Sequence, residues 1–198
     1  MVEASVVVSC LGRKSSLCYN LGYMSKQGNN CAYIDGANLH NGVGQFDWEF
    51  NYRKFRIWLT EKYHVKQAYL FLGLVPKYKN LYTRLQEMGY TLVFKEVTYD
   101  NTGKIKGNCD ADIVVRVMRD TYENNFDGAI LVSSDGDYAS LVSFLIEKEK
   151  MKTILSPYGT KKCSILLKRT GAPIAYISDQ RSILGGVNKK APNADGTA

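Results

Sequence analysis

From Cys31 onward the chain alternates short apolar runs with stretches of helical spacing. Cys31-Ala32-Tyr33-Ile34 is a continuous apolar run closed by Asp35-Gly36, the pattern of a buried strand. Tyr52 to Tyr63 carries Phe55, Trp58 and Leu59 at helical spacing, with Asn51 placed to cap it. Val65 to Leu72 predicts a strand, Lys77 to Met88 an amphipathic helix stopped by Gly89, and Thr91 to Val97 a third strand. Tyr99 to Gly107 is polar, with two glycines, and predicts a loop. Asn108 can cap a helix reaching about Glu123, with Ile113, Val114, Val117 and Met118 on its inner face. Gly128 to Ser133 predicts a fourth strand, Tyr138 to Lys150 a helix, Thr153 to Ser156 a strand, Lys161 to Lys168 a helix, and Ile174 to Ile177 a last strand.

This alternation predicts an α/β fold: three α/β/α layers around a mainly parallel sheet of at least five strands, from about Cys31 to Asp179, with right-handed crossovers. Residues 31–180 are expected to form the folded domain. Residues 1–30 read as a disordered extension; Val6-Val7-Val8 is apolar, but Glu3 and the lack of a basic cluster before it argue against a signal peptide. A start of translation at Met24 stays open beside one at Met1. Asn, Lys, Pro, Asp and Gly dominate from Val187, so residues 181–198 read as a flexible basic tail.

Composition narrows the class. With 198 residues and 45% hydrophobic content the chain can bury one full core, and no apolar run reaches the ~18 residues a membrane span needs. A soluble protein without a membrane partner is expected. The net charge is +7 and the pI about 9.1, which makes nucleic acid a plausible partner. Residues 1–30 and 181–198 each carry +2, so the body is only mildly basic and charge alone does not decide the function. The five cysteines form no C-x-x-C pair and the histidines number two, which speaks against a disulfide framework or a zinc site. Reduced thiols fit a cytoplasmic setting.

Two predicted strands end in acid. Tyr33-Ile34-Asp35-Gly36-Ala37-Asn38 closes the first, and Leu131-Val132-Ser133-Ser134-Asp135-Gly136-Asp137-Tyr138 the fourth. In open parallel sheets, ligands bind outside the carboxyl ends of the strands, so both sets of acids fall on one edge. Asp110 and Asp112 begin a helix that follows a loop from that edge and can join them. A single Asp at a strand end is more often a helix cap. Three groups converging on one edge repel each other unless a divalent cation neutralises them, and hard oxygen donors select Mg²⁺ or Mn²⁺.

Tyr-Ile-Asp-Gly-Ala-Asn-Leu at 33–39, Lys-Gly-Asn-Cys-Asp at 106–110 and Val-Ser-Ser-Asp-Gly-Asp-Tyr at 132–138 resemble the three signatures of NYN domains. These belong to the PIN-like nuclease superfamily, here the LabA-like branch, over roughly residues 31–180. The resemblance implies a PIN-like, Rossmann-like fold and metal-dependent cleavage of RNA, leaving 5′-phosphate and 3′-hydroxyl ends. It implies Asp35, Asp110, Asp135 and Asp137 as catalytic and metal-holding residues, with Asn38 as a polar helper. Ser134 stands where the third signature usually has glycine. Asp112 has no fixed counterpart and reads equally as a supporting acid or a solvent-facing helix residue. Lys106 lies beside Asp110 and is expected at the catalytic edge.

Arg53, Lys54, Arg56, Lys62, Lys66, Lys77, Lys79 and Arg84 gather between the first two signatures, Lys104 and Lys106 flank the loop before Asp110, and Tyr78, Tyr82 and Tyr99 lie among them. Cations with interleaved aromatics suit single-stranded RNA. The expected contacts are Arg53, Lys54, Lys77, Lys79, Lys104, Tyr78 and Tyr82; the bland alternative for each lysine is a solvated helix face. Trp48 and Trp58 are expected in the core, and His64 as a helix-end residue. Three readings compete: a Mg²⁺- or Mn²⁺-dependent ribonuclease, a non-catalytic RNA-binding or regulatory adaptor on the same fold, and another Mg²⁺-dependent phosphate enzyme. Against the last, Asp35-Gly36-Ala37 lacks the second acid of an aspartyl phosphatase. Beyond RNA, a homo-oligomer, an antitoxin or another protein regulator stays open as a partner.

Overall fold

β1 (Asn30–Asp35) is buried along its whole length, as a strand covered on both faces must be. The structure, a computed structural model, describes residues 28–96, 98–99, 105–106 and 109–186. After β1 come α1 (Gly36–Val43), α2 (Tyr52–Tyr63), β2 (Val65–Gly73), α3 (Lys79–Glu87), β3 (Thr91–Lys95), β4 (Thr98–Tyr99) and β5 (Ile105–Lys106). They are followed by α4 (Asp110–Tyr122), β6 (Ala129–Val132), α5 (Ala139–Glu147), β7 (Met151–Ser156), α6 (Ile165–Arg169), β8 (Ile174–Tyr176) and α7 (Arg181–Leu184). Short 3-10 turns at Pro76–Tyr78, Gly136–Tyr138 and Ile177–Gln180 lead into α3, α5 and α7.

Six strands make one sheet in the order β3-β2-β1-β6-β7-β8, with every neighbouring pair parallel. This is the expected three-layer, PIN-like α/β/α arrangement. The chain winds outward in one direction from β1 to β3 and in the other from β6 to β8, so the carboxyl ends of β1 and β6 border the crevice where the order reverses. Side chains alternate across the sheet. Ala32, Ile34, Ile130 and Val132 face Leu39, Phe55, Trp58, Leu59 and Leu184; Cys31, Tyr33, Ala129 and Leu131 face Ile113, Val117, Leu141, Leu145 and Leu167. Each fully buried aliphatic or aromatic side chain adds about 1.5–3 kcal/mol of burial energy. Trp48 and Trp58 are core residues, as expected.

The boundaries of α2 match the sequence reading. Asn51 Oδ1 caps it by accepting from Lys54 N at 3.0 Å, and His64 closes it in the left-handed region at φ 54°. Several expectations need correction. The segment after Asp35, for which the residue pattern gives no element, is a helix, α1. The stretch expected as a loop from Tyr99 begins with the end of β4 and holds β5, the two forming an antiparallel pair. On α4, Met118 faces solvent, while Asp120 and Thr121 are buried instead. The helix expected from Lys161 begins only at Ile165, where Ser164 caps it. The folded body runs past residue 180: α7 packs on α2, and Leu184 is fully buried. At the other end Asn29 N donates to Asp127 Oδ2 at 2.8 Å, ahead of the expected start at 31. The extension over residues 1–27, the tail from Val187, the Asn108 cap and Lys104 lie outside the described residues.

Candidate active site at the carboxyl edge of β1 and β6

Asp35 is the last residue of β1 and caps α1: its Oδ1 accepts from Asn38 N at 2.9 Å. Asp135 follows β6 and caps the next turn, with Oδ1 accepting from Asp137 N at 3.1 Å. The capping role and a site role therefore coexist, because each cap bond occupies only one carboxylate oxygen. Gly36 permits the tight exit from β1: a Cβ there would meet the Phe71 carbonyl oxygen at 2.5 Å.

The ends of β1 and β6 are tied together by side chains. Asn38 Oδ1 accepts from Ser134 N at 3.0 Å. Ser134 Oγ bonds Ser156 Oγ at 2.8 Å and accepts from Tyr158 N at 3.3 Å, and Ser133 Oγ accepts from Asp135 N. Ser134 thus fits the tight turn in place of glycine and fastens it to β7.

On this frame the carboxylate oxygens of Asp110, Asp135 and Asp137 lie within 4.8 Å of one another. Asp35, buried behind them, joins through Tyr138, a residue the sequence reading did not single out. The Tyr138 hydroxyl lies 2.6 Å from Asp110 Oδ1 and 3.4 Å from Asp35 Oδ2, and its ring is fully buried. Its place one residue after the second acid of the turn was the available signal. Asp112 stands apart: its carboxylate pairs with Lys95 Nζ at 2.8 Å and is half-exposed. That pair was not anticipated, and it puts a cation from the end of β3 beside α4.

Burial raises the Asp35 carboxyl above the ordinary range, and Asp110 and Asp135 raise it further against the bonds from Asn38 and Tyr138. Burial, with Asp35 and Asp112 nearby, pushes the Cys109 thiol up to about 11 and keeps it protonated. The Lys95 ammonium is raised by its bond to Asp112 and, more weakly, by Cys109 and Asp110. The cluster is thus an oxygen-only donor set under mutual repulsion, with a poor thiol ligand beside it.

A family model of the NYN domain matches residues 31–170, across β1, the acid turn and α6. The chain belongs to the NYN domain family. That family is one of PIN-like nucleases. A crystal structure of a protein of unknown function from Vibrio parahaemolyticus is similar over 78% of this chain and 96% of that one, with a TM-score of 0.64 and 22% identity; at that identity the likeness shows the fold alone. No curated protein matches the chain.

The donor set of this NYN domain suits a hard divalent ion: Asp110, Asp135 and Asp137 offer oxygens at close spacing, and Asp35 adds a fourth carboxylate behind them. Among the expected RNA contacts, Arg53 and Lys54 begin α2 and Lys77, Tyr78 and Lys79 follow β2, so topology puts them at the acid edge. Lys54 Nζ is held by the Gly185 carbonyl at 2.6 Å. Tyr82 is corrected: it is buried, with its hydroxyl donating to Gly73 O and accepting from Val75 N, so its ring is no base platform. Arg56, Lys62, Lys66 and Arg84 belong to the opposite edge; Arg56 bonds the carbonyls of Gly89 and Lys66 there. Lys106 is placed only as a backbone position of β5. Among the described residues, no helix is long and apolar enough to cross a membrane.

Proposed function

We propose that this NYN domain is a Mg²⁺- or Mn²⁺-dependent ribonuclease that cleaves single-stranded RNA and leaves 5′-phosphate and 3′-hydroxyl ends. The observation that supports this most is the convergence of Asp110, Asp135 and Asp137 on one point, with Asp35 linked through Tyr138. These carboxylates would hold the ion. A bound ion supplies a polarised scissile phosphate and an activated water for in-line displacement.

The chain's own residues set the geometry. Tyr138 fixes Asp110 by donating to it, and the cap bonds from Asn38 N and Asp137 N fix Asp35 and Asp135. Asn38 and Ser134 hold the two strand ends at a set distance. Ser134 in the glycine position removes no acid from the cluster, so this departure does not favour the non-catalytic adaptor. Lys95, held by Asp112, and the Lys77–Tyr78 pair supply positive charge and a half-exposed ring for the strand. The free thiols Cys31, Cys109 and Cys163 go with a reducing, cytoplasmic setting.

The test is incubation with end-labelled single-stranded RNA, single-stranded DNA and duplex RNA in Mg²⁺, Mn²⁺ or EDTA, with the product ends mapped. Cleavage of single-stranded RNA in metal, with 3′-hydroxyl products, is expected. Retention of RNA without cleavage in either metal would support the adaptor instead.

A further inference from the structure

A cation seated over an aromatic ring flanks the acids on each side. On the β2 side Lys77 Nζ lies 4.9 Å from the Tyr78 ring, and Tyr78 is 44% exposed. On the β7 side Lys162 Nζ lies 5.9 Å from the Tyr158 ring and is held by Gln45 Oε1 at 2.5 Å. β2 neighbours β1 and β7 neighbours β6, so each pair stands one strand outward from the crevice. At about 4.8 Å between strands, the ends of β2 and β7 are roughly 14 Å apart.

The β7 side is fastened to the acid turn itself. Tyr158 N donates to Ser134 Oγ, and Ser164 N donates to Ser134 O at 3.1 Å. Leu166 lies so close to Gly136 that a Cβ there would sit 3.2 Å from its Cδ1. The same segment exposes Lys161, Ile165 and Leu166 to solvent. Four carboxylates repel a polyanion, so a strand can settle over them only where cations stand close by on its path. An aromatic ring and exposed apolar side chains beside those cations offer a face to unpaired bases.

We propose that Tyr158, Lys161 and Lys162 form a second single-stranded RNA subsite, so that the strand crosses the sheet edge from the Lys77–Tyr78 pair, over the acids, to the Tyr158–Lys162 pair. This rests on the reading of the acid cluster as a ribonuclease centre. A base stacks against Tyr158, and the ammonium of Lys162, already beside the ring, meets a neighbouring phosphate. Duplex RNA keeps its bases stacked inside and gains only the charge contribution.

The experiment measures fluorescence anisotropy of labelled single-stranded and duplex RNA in Mg²⁺, in an Asp135→Asn background that prevents turnover. Tyr158→Leu, Tyr158→Phe and Lys162→Gln are compared, with thermal melts to verify folding. Tyr158→Leu is expected to weaken single-strand binding about tenfold, the scale of one lost base stack, with little change for duplex. Tyr158→Phe keeps the ring and is expected to bind as the parent does. Lys162→Gln, at an exposed position, is expected to weaken both RNAs and flatten the salt dependence. Unchanged single-strand binding in Tyr158→Leu or Lys162→Gln overturns the subsite while the ribonuclease reading stands if the unsubstituted chain cleaves RNA. Failure of that chain to bind or cleave RNA overturns both.

Discussion

The Tyr138 hydroxyl donates a 2.6 Å hydrogen bond to Asp110 Oδ1, joining a buried ring after β6 to the first residue of α4. A carboxylate at a helix start can adopt several rotamers; one strong donor selects among them. Tyr138→Phe keeps the ring packing and removes that donor. The Mg²⁺ concentration for half-maximal activity should rise about tenfold, the scale of losing a hydrogen-bonded support of a metal ligand. A metal titration of activity checks this, and a melt should show a loss of only about 1–2 kcal/mol.

Asp35 gives the metal-free protein a pH signature. Its folded carboxyl titrates above its unfolded value of 3.8, chiefly through burial, with Asp110 and Asp135 adding to it. Between those two values the native state holds more protons than the unfolded state, so stability falls as pH rises. The Asp35 contribution is complete below pH 3.8 and is lost as pH climbs through the raised folded value. In Asp35→Asn, which keeps a competent helix cap, this dependence should flatten and the metal-free protein should gain stability at neutral pH. Melting curves against pH in EDTA, for both proteins, check the sign.

Much of this site was legible from residue order. Asp35, Asp135 and Asp137 follow apolar runs, and strand–helix alternation puts such strand ends on one edge. What stayed hidden depends on tertiary contacts. α1 contains glycines at 36 and 42 and few apolar residues, so helical periodicity does not announce it; it is a helix because Asp35 caps it and Leu39 and Val43 bury against the sheet. Tyr82 falls among lysines in sequence, but helical phase turns it inward, where Gly73 and Val75 satisfy its hydroxyl. Arg56 and Lys66 share a stretch with Lys77 yet lie at the opposite end of β2, because a nine-residue strand separates them. The Lys95–Asp112 and Tyr138–Asp110 pairs join residues far apart in the chain, which no local pattern announces.

Asp120 should matter for folding and not for the acid site. It is 2% exposed and accepts from Tyr33 Oη at 2.9 Å, Arg116 Nε at 2.8 Å and Asn125 Nδ2 at 3.0 Å. Asp120→Ala leaves a buried phenol and a partly buried guanidinium without their acceptor, which should cost about 2–4 kcal/mol. Chemical denaturation checks the loss; the Mg²⁺ dependence of the surviving folded protein should be unchanged.

Gly36→Ala should damage both fold and site. The new methyl would press on the Phe71 carbonyl and the Leu72 side chain, forcing β1 and β2 apart where Asp35 is held. A loss of about 1–3 kcal/mol is expected, on the scale of overpacking, together with reduced activity at saturating Mg²⁺. Ala37→Ser next to it, at an exposed position, is the neutral control.

The most direct measurement is RNA cleavage by the unsubstituted chain and by Asp35→Asn and Asp135→Asn, each in Mg²⁺ and in EDTA, with folding verified by thermal melts. The ribonuclease account predicts cleavage only by the unsubstituted chain in Mg²⁺, a loss of about 10²-fold or more in each folded variant, and persistent RNA binding by both variants. Cleavage that survives in both variants, or that runs undiminished in EDTA, contradicts it.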